Sequence, residues 1–583
     1  MIRYRVEIAD LHAHLLRVTL TLPRPAALQR LSLPVWIPGS YLVREFARHL
    51  SALEARQGKR KVALRQLDKC RWQADCSGST ALTVSYLVYA FDASVRTAWL
   101  DAQRGFFNGT SVFLCCEGFE AAPHQVSLAG LPAGWDVATA MATGPGRLTY
   151  AAADYDELID HPFELGPFWR GRFEAGGAEH EFVVAGAWPG FDGARLLADT
   201  QKICAAQIRF WHGDGAAPMA RYVFMLNAVD DGYGGLEHRA STALIAARRD
   251  LPRVGMQGMP DGYVTLLGLI SHEYFHTWNV KRLKPRDFAP YDLTQENYTE
   301  LLWFFEGFTS YYDDQFLLRC GLIDAARYLK LLGKTINQVL GTPGRQVQSV
   351  AQSSFDAWVK YYRQDENTSN ATVSYYTKGS LVALALDLTL RRGGAGMHAG
   401  ATLDAVMQQL WHSSQGGPIH EADIAAALRQ VGGRDFSAEL AAWVHGTADL
   451  PLQPLLAELG VIWTTERATL VQRLGARLSE SPQGVKVSAV MRASVAERAG
   501  LAAGDELLAL DDWRVGKIED LVLLGALDSS RELLVARDRR LLHLPLPAAP
   551  AEGAVGTVQL TLADKPAAAL RRRRDAWLAP QAG

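Results

Sequence analysis

His272-Glu273-Tyr274-Phe275-His276 reads H-E-x-x-H, and the apolar stretch 265–270 before it is compatible with a helix. Residues four apart on a helix share a face, so the two imidazoles would converge on one ion. Glu273, one step round, would reach an attacking water and take its proton. Residue frequencies allow roughly 0.02 accidental matches in a chain of this length, so the motif is informative. The plain alternative is two unconnected histidines on a helix.

A third candidate ligand lies downstream. Leu301-Leu302-Trp303-Phe304-Phe305-Glu306-Gly307-Phe308 is apolar and aromatic but for one carboxylate. A charge among those rings is costly unless compensated. A zinc ion completed by Glu306 would do so, leaving the open fourth position of a catalytic site. An arginine or lysine from elsewhere is the alternative. Glu296 and Glu300 sit in polar company and rank lower.

These residues need elements to hold them. Helical apolar spacing marks 193–212, 263–279, 298–319, 378–391 and 401–411. Upstream, 17–22 and 81–88 alternate with period two, so residues 1–165 read as a β-rich domain. Segment 34–41, with Trp36 and Tyr41, reads as a packed aromatic turn. The Ser/Gln/Asn-rich segment 341–375 is either a loop over a site or a surface excursion, and its composition favours the second. The chain divides into 1–165, a catalytic region 166–455, a third region 456–550, and a tail 551–583 whose Arg571-Arg572-Arg573-Arg574 reads as a solvated face. Every candidate ligand precedes position 310, so the part beyond 460 reads as separable.

The chain has 583 residues, 48% hydrophobic and 21% charged, which allows sizeable cores. Lys+Arg is 60 and Asp+Glu is 62, a net charge of −2, which argues against nucleic acid or an anionic membrane as main partner. There is neither a secretory apolar region at Met1 nor an 18-residue apolar run, so the cytoplasm is the expected location. The six cysteines form no C-x-x-C pair and read as reduced core residues.

Taken together, 272–282 (H-E-Y-F-H-T-W-N-V-K-R) and 303–312 (W-F-F-E-G-F-T-S-Y-Y) resemble the glycyl aminopeptidase family of gluzincin metallopeptidases, and 34–41 resembles a stretch of that family's first domain. The resemblance implies a multidomain α+β fold: a β-rich N-terminal domain, a thermolysin-like, mainly helical catalytic domain and a C-terminal PDZ domain. It implies one zinc and peptide substrates with a free N-terminus beginning in Gly or Ala. A more distant similarity is to the alanyl aminopeptidases. There the third ligand lies in N-E-G-F-A, matched by 305–309 with Phe305 in place of Asn; the gap of 30 positions from His276 to Glu306 implies an insertion. That family's G-A-M-E-N segment, whose Glu holds the substrate amine, is similar to Gly234-Gly235-Leu236-Glu237-His238, which departs at three of five positions. Its Y-x-K-G segment, whose Tyr stabilises the oxyanion, is similar to Tyr376-Thr377-Lys378-Gly379. The expected catalytic residues are therefore Glu273 and Tyr376, the substrate-binding residues Glu237, Gly234 and Gly235, and the metal ligands His272, His276 and Glu306.

Residues 493–511 resemble bacterial PDZ domains, with Leu474-Gly475-Ala476 as candidate carboxylate-binding loop for a peptide or protein C-terminus. A purely structural PDZ is the alternative. The expected activity is a zinc aminopeptidase. A metallo-endopeptidase is the rival enzyme, and a PDZ-based binding protein with a lapsed active site the rival outside enzymes.

Overall fold

Period-two alternation builds the first domain. In the computed structural model, which describes residues 1–394, 396–549 and 554–578, Ile2–Asp10 pairs antiparallel with Leu15–Leu22, Val6 opposite Val18, and parallel with His124–Ala129. Leu15–Leu22 pairs in turn with Leu82–Tyr89, where alternate residues from Leu82 to Val88 are buried. Eight strands make this sheet, and two four-stranded sheets share its core.

A five-stranded sheet forms the wall between that domain and the catalytic helices. Its order is Trp169–Ala175, Ala178–Ala185, Arg221–Val229, Ser241–Ala247, Tyr233–Glu237. The central strand pairs parallel on both sides and is apolar on both faces, as a strand between two layers must be. Phe224 and Leu226 join the helical core; Val223 and Met225 join the N-terminal one. Tyr233–Glu237 is left at the edge, beside the helix that carries the histidines.

The helices are where apolar spacing puts them, with ends set by local chemistry. Gly193–His212 coincides with the expected span and is capped by Asp192, which accepts from the Arg195 amide. The histidine helix spans Asp261–Phe275 and stops short of 279. The Glu306 helix, Leu302–Arg319, starts later than 298. Thr377–Arg392 and Leu403–Ser414 are the other two.

The 277–301 insertion holds only one short helical turn, Arg286–Phe288, and serves as a dock. The Val35 amide donates to Leu293 O at 2.8 Å and Trp36 Nε1 to Asp292 O at 2.9 Å. Phe288 stacks on Tyr41, with ring centroids 5.8 Å apart. The 341–375 segment is a surface excursion only in part, exposed at 363–367 and packed inside elsewhere. It carries short helices, buries Trp358 (3% exposed), and donates Trp358 Nε1 to Asn297 O at 3.0 Å. Its polar residues are spent inside: the Ser353 hydroxyl donates to Val373 O at 2.5 Å and the Ser354 hydroxyl accepts from the Trp303 amide at 2.9 Å.

The PDZ unit is inserted in a hairpin. Val461–Thr465 pairs antiparallel with Val558–Leu562, Thr465 opposite Val558, and the PDZ strands and helices lie between them around their own core. The segment after 551 is accordingly not a free tail. Leu560, Trp577 and Leu578 belong to the catalytic core, Asn337 exchanges two hydrogen bonds with the Val558 backbone, and Trp577 Nε1 donates to the Tyr311 hydroxyl at 3.3 Å. Arg571, Arg572 and Arg573 on the Ala568–Leu578 helix remain exposed.

A truncation at 460 therefore removes part of the catalytic core along with the PDZ unit. It is expected to unfold the enzyme or strip its metal, since losing the Trp577 side chain alone costs about 3–5 kcal/mol. Replacing 467–556 by an Asn-Gly turn should keep the hairpin and whatever metal the histidine helix holds. Metal content and a thermal melt of both variants check this. A metal-free, unfolded internal deletion would make the PDZ unit part of the catalytic fold.

Among the described residues no helix is long and apolar enough to cross a membrane. All six cysteines are free thiols.

Candidate active site

The helix Asp261–Phe275 and its cap residue bring His272 and His276 onto one face, their Nε2 atoms 3.1 Å apart. Glu306, from the helix Leu302–Arg319, sets Oε2 3.2 Å from His276 Nε2 and 3.7 Å from His272 Nε2. Zinc–nitrogen bonds of ~2.0–2.1 Å in a tetrahedron give ligand separations of about 3.3 Å, close to all three. The other ring nitrogens are already engaged. His272 Nδ1 lies 3.1 Å from Asp313 Oδ2, and His276 Nδ1 lies 2.8 Å from Asn279 O, a carbonyl that can only accept. With the Nδ1 protons committed, two bare Nε2 lone pairs face each other beside Glu306 Oε2, itself buried with no hydrogen-bond partner. Such a triad is favourable only around a cation, so the residues fit the zinc their types imply. Burial opposes ionisation of Glu306, but His276 and His272, when protonated, hold it down at about 2; a cation bound between them would act in the same sense.

Asn279 also joins the two metal-bearing helices. Its Nδ2 donates to Phe305 O at 3.1 Å, next to Glu306, while its own carbonyl orients His276. Tyr41 of the N-terminal domain brings its hydroxyl to 3.5 Å from Glu306 Oε1. Sequence reasoning missed Asn279, Asp313 and Tyr41. Asp313 had a signal: it lies two helical turns from Glu306 and so shares its face. Tyr41 had none beyond its place in an aromatic turn.

The edge strand supplies the second wall. A Cβ added at Gly235 would fall 2.1 Å from Glu273 Oε1 and 2.3 Å from its Cδ, so the strand backbone lies directly on the Glu273 carboxylate. Gly234 has space but a φ of +156°, a conformation that side chains disfavour. Glu237, 4% exposed, sets a carboxylate oxygen within 4.8 Å of one on Glu273 and of a His276 ring nitrogen. Its other face meets Gly39, φ +95°, where an added Cβ would fall 2.4 Å from Glu237 Oε2. Burial raises both carboxyls, that of Glu273 to about 7.

Glu237 Oε1 is buried with no hydrogen-bond partner, and no cation pairs with Glu237 among the described residues. The nearby Lys281 is engaged elsewhere, its Nζ 2.8 Å from Asp160 Oδ1 in a cluster that also holds His238 and Arg239. Tyr376 caps the helix Thr377–Arg392, half-buried, its ring stacked on His272 with centroids 6.3 Å apart and its hydroxyl 3.5 Å from that of Tyr362. All eight residues expected from the sequence thus meet at one place. Tyr362 is an addition, brought in by the 341–375 segment.

Similarity to known proteins places the chain among the metallo-aminopeptidases. Residues 3–167 match the Peptidase M61 N-terminal domain, 265–382 the M61 glycyl aminopeptidase and 486–537 a PDZ domain. A crystal structure of an aminopeptidase N family protein from Idiomarina loihiensis is 39% identical and covers 100% of both chains, with a TM-score of 0.93. The chain belongs to the M61 glycyl aminopeptidase family. An M1 zinc metallopeptidase from Deinococcus radiodurans is 15% identical, covering 77% of this chain and 94% of its own, with a TM-score of 0.47, too distant to carry an argument. No curated protein matches the chain.

Proposed function

We propose that the protein removes N-terminal glycine and alanine from peptides, with one zinc held by His272, His276 and Glu306. The observation that carries the exopeptidase reading is Glu237: a buried carboxylate with no cationic partner, beside Glu273 and His276. A free α-ammonium group is the one feature that separates an N-terminal residue from every internal one, and it would neutralise Glu237. Bound zinc would supply a Lewis acid that polarises the scissile carbonyl and lowers the attacking water's pKa.

The remaining steps belong to side chains. Glu273 takes the water's proton and returns it to the leaving amine; its burial, and its freedom from any hydrogen bond at Oε2, leave it available. Tyr376 donates its hydroxyl to the developing oxyanion. Of the other candidate hydroxyls, Tyr311 and Tyr312 are committed to Asp387 and Asp404, whereas that of Tyr375 is buried without a partner. Gly234 and Gly235 let the substrate backbone run close along the edge strand. The preference for small residues follows from the family.

Glycyl and alanyl amides are expected to be cleaved and their N-acetyl counterparts not. Glu237→Ala should lose most activity along with this discrimination. Measured kcat/KM on the paired substrates decides it; N-acetyl amides cut as fast as free ones by the wild-type protein would make the enzyme an endopeptidase.

A further inference from the structure

Arg44 and Arg96 both come from the N-terminal domain and both hold segments that line the site: Arg44 reaches Ser40, between Gly39 on Glu237 and Tyr41 on Glu306, and Arg96 reaches Gly235 on Glu273. Arg44 donates Nε and Nη2 to a neutral partner, Ser40 Oγ, at 3.1 and 2.6 Å. Arg96 donates Nη2 to Gly235 O at 3.4 Å, and its Nε is buried with no partner. Neither forms an ion pair among the described residues. Burial and then the charge of Arg96 lower the proton affinity of Arg44. Asp92, the acid that acts on Arg44, is exposed and spends Oδ1 on the Ser94 amide. Two partly buried guanidiniums without an ion pair among the described residues call for an anion.

Position says which anion. Gly235 is the residue whose backbone lies on Glu273, and its carbonyl, turned away from the paired strand, is what Arg96 meets. Arg96 also acts on Tyr362, whose hydroxyl reaches Tyr376. From Glu237 to Gly235 is two residues of strand, about 6.6 Å at ~3.3 Å per residue. A substrate laid along this edge with its amine at Glu237 therefore brings its second residue to the guanidinium pair.

We propose that Arg44 and Arg96 form an anion subsite for a carboxylate borne by the second residue of the substrate. The carboxylate is either the C-terminus of a dipeptide or an acidic side chain in a longer peptide. The assignment rests on the reading of Glu237 as the amine anchor. Guanidinium–carboxylate hydrogen bonds are charge-assisted and often bidentate, and a hydrogen bond to a charged group of this strength corresponds to about 10- to 100-fold in selectivity.

Two substrate pairs test it on the wild-type enzyme: Gly-Gly against Gly-Gly-amide, and Gly-Glu-amide against Gly-Gln-amide. A ratio of kcat/KM of about tenfold or more in the first pair identifies the C-terminal carboxylate, and in the second an acidic side chain. Arg96→Gln and Arg44→Gln should each bring the ratio toward one. Ratios near one in both wild-type pairs overturn the subsite, whether or not the variants fold. A selective wild type whose selectivity survives in folded Arg96→Gln and Arg44→Gln overturns the arginine assignment. All four substrates have free N-termini, so flat ratios with turnover intact leave the exopeptidase reading standing, whereas cleavage of N-acetyl amides sinks that reading instead.

Discussion

Glu273→Gln is expected to purify with its zinc and to lose turnover by a factor on the order of 10²–10⁴, the usual share of a general base. Glutamine has the same length and shape, which matters here because Gly235 packs within contact distance of the Glu273 carboxylate and leaves no room for rearrangement. The metal should stay, because His272, His276 and Glu306 form their own triangle of donors without Glu273. What changes is the proton: a neutral amide can orient a water but cannot take its proton and return it to the leaving amine. Metal analysis together with kcat on alanyl amide separates the two effects. A variant with full metal and a rate within about threefold of wild type would remove Glu273 from the chemistry.

Glu306→Ala is expected to fail one step earlier, at metal binding. Among the described residues it removes the only carboxylate within 3.2 Å of His276 Nε2, and with it the charge that would compensate a dication in a pocket where Glu306 and His276 are only 1% and 2% exposed. Two imidazoles alone do not complete a catalytic zinc site. The variant should carry a small fraction of one zinc per chain and show activity in proportion. Stability supplies an independent readout. Without a cation the two imidazoles and the carboxylate are left unsatisfied, and a ligand present at 100–1,000 times its Kd adds about 3–4 kcal/mol to the folded state. A chelator should therefore lower the melting temperature of the wild type and leave that of Glu306→Ala unchanged. Equal metal content in the two proteins would show that another residue is the third ligand.

The residues proposed to hold the metal could be singled out because their signals are local. His272 and His276 are one turn apart on one helix, and that spacing alone aims them at a common point. Glu306 was found from its company: a lone carboxylate among Phe304, Phe305 and Phe308 needs a counter-charge wherever the helix goes. Apolar periodicity placed Gly193–His212 to the residue, because Asp192 caps it and its buried face is continuous. The same periodicity overran the histidine helix, which ends at Phe275 because the His276 imidazole is held by the carbonyl of Asn279 after the chain has turned.

What sequence spacing could not carry is every contact made across long separations. Tyr41 meets Glu306 over 265 positions and Arg96 meets Gly235 over 139; no periodicity encodes such pairs. They arise because the five-stranded sheet is apolar on both faces and must be covered on both, which brings the N-terminal domain down beside the zinc helices. The polar 341–375 segment misled in part for a related reason: Ser353 and Ser354 satisfy partners inside the fold, so their polarity marks buried hydrogen bonds, while 363–367 is exposed. The strand and helix after 556 read as a tail because the residues that bury them, Asn337 and Tyr311, lie more than 200 positions away. The sequence by itself thus singled out the candidate metal ligands and the candidate base, through spacing on single helices and the apolar company of Glu306. Only the tertiary structure decided what surrounds them: which domain closes the cleft, where the guanidinium pair stands and that the PDZ unit sits inside a hairpin. Those depend on which apolar faces find each other once the chain has collapsed.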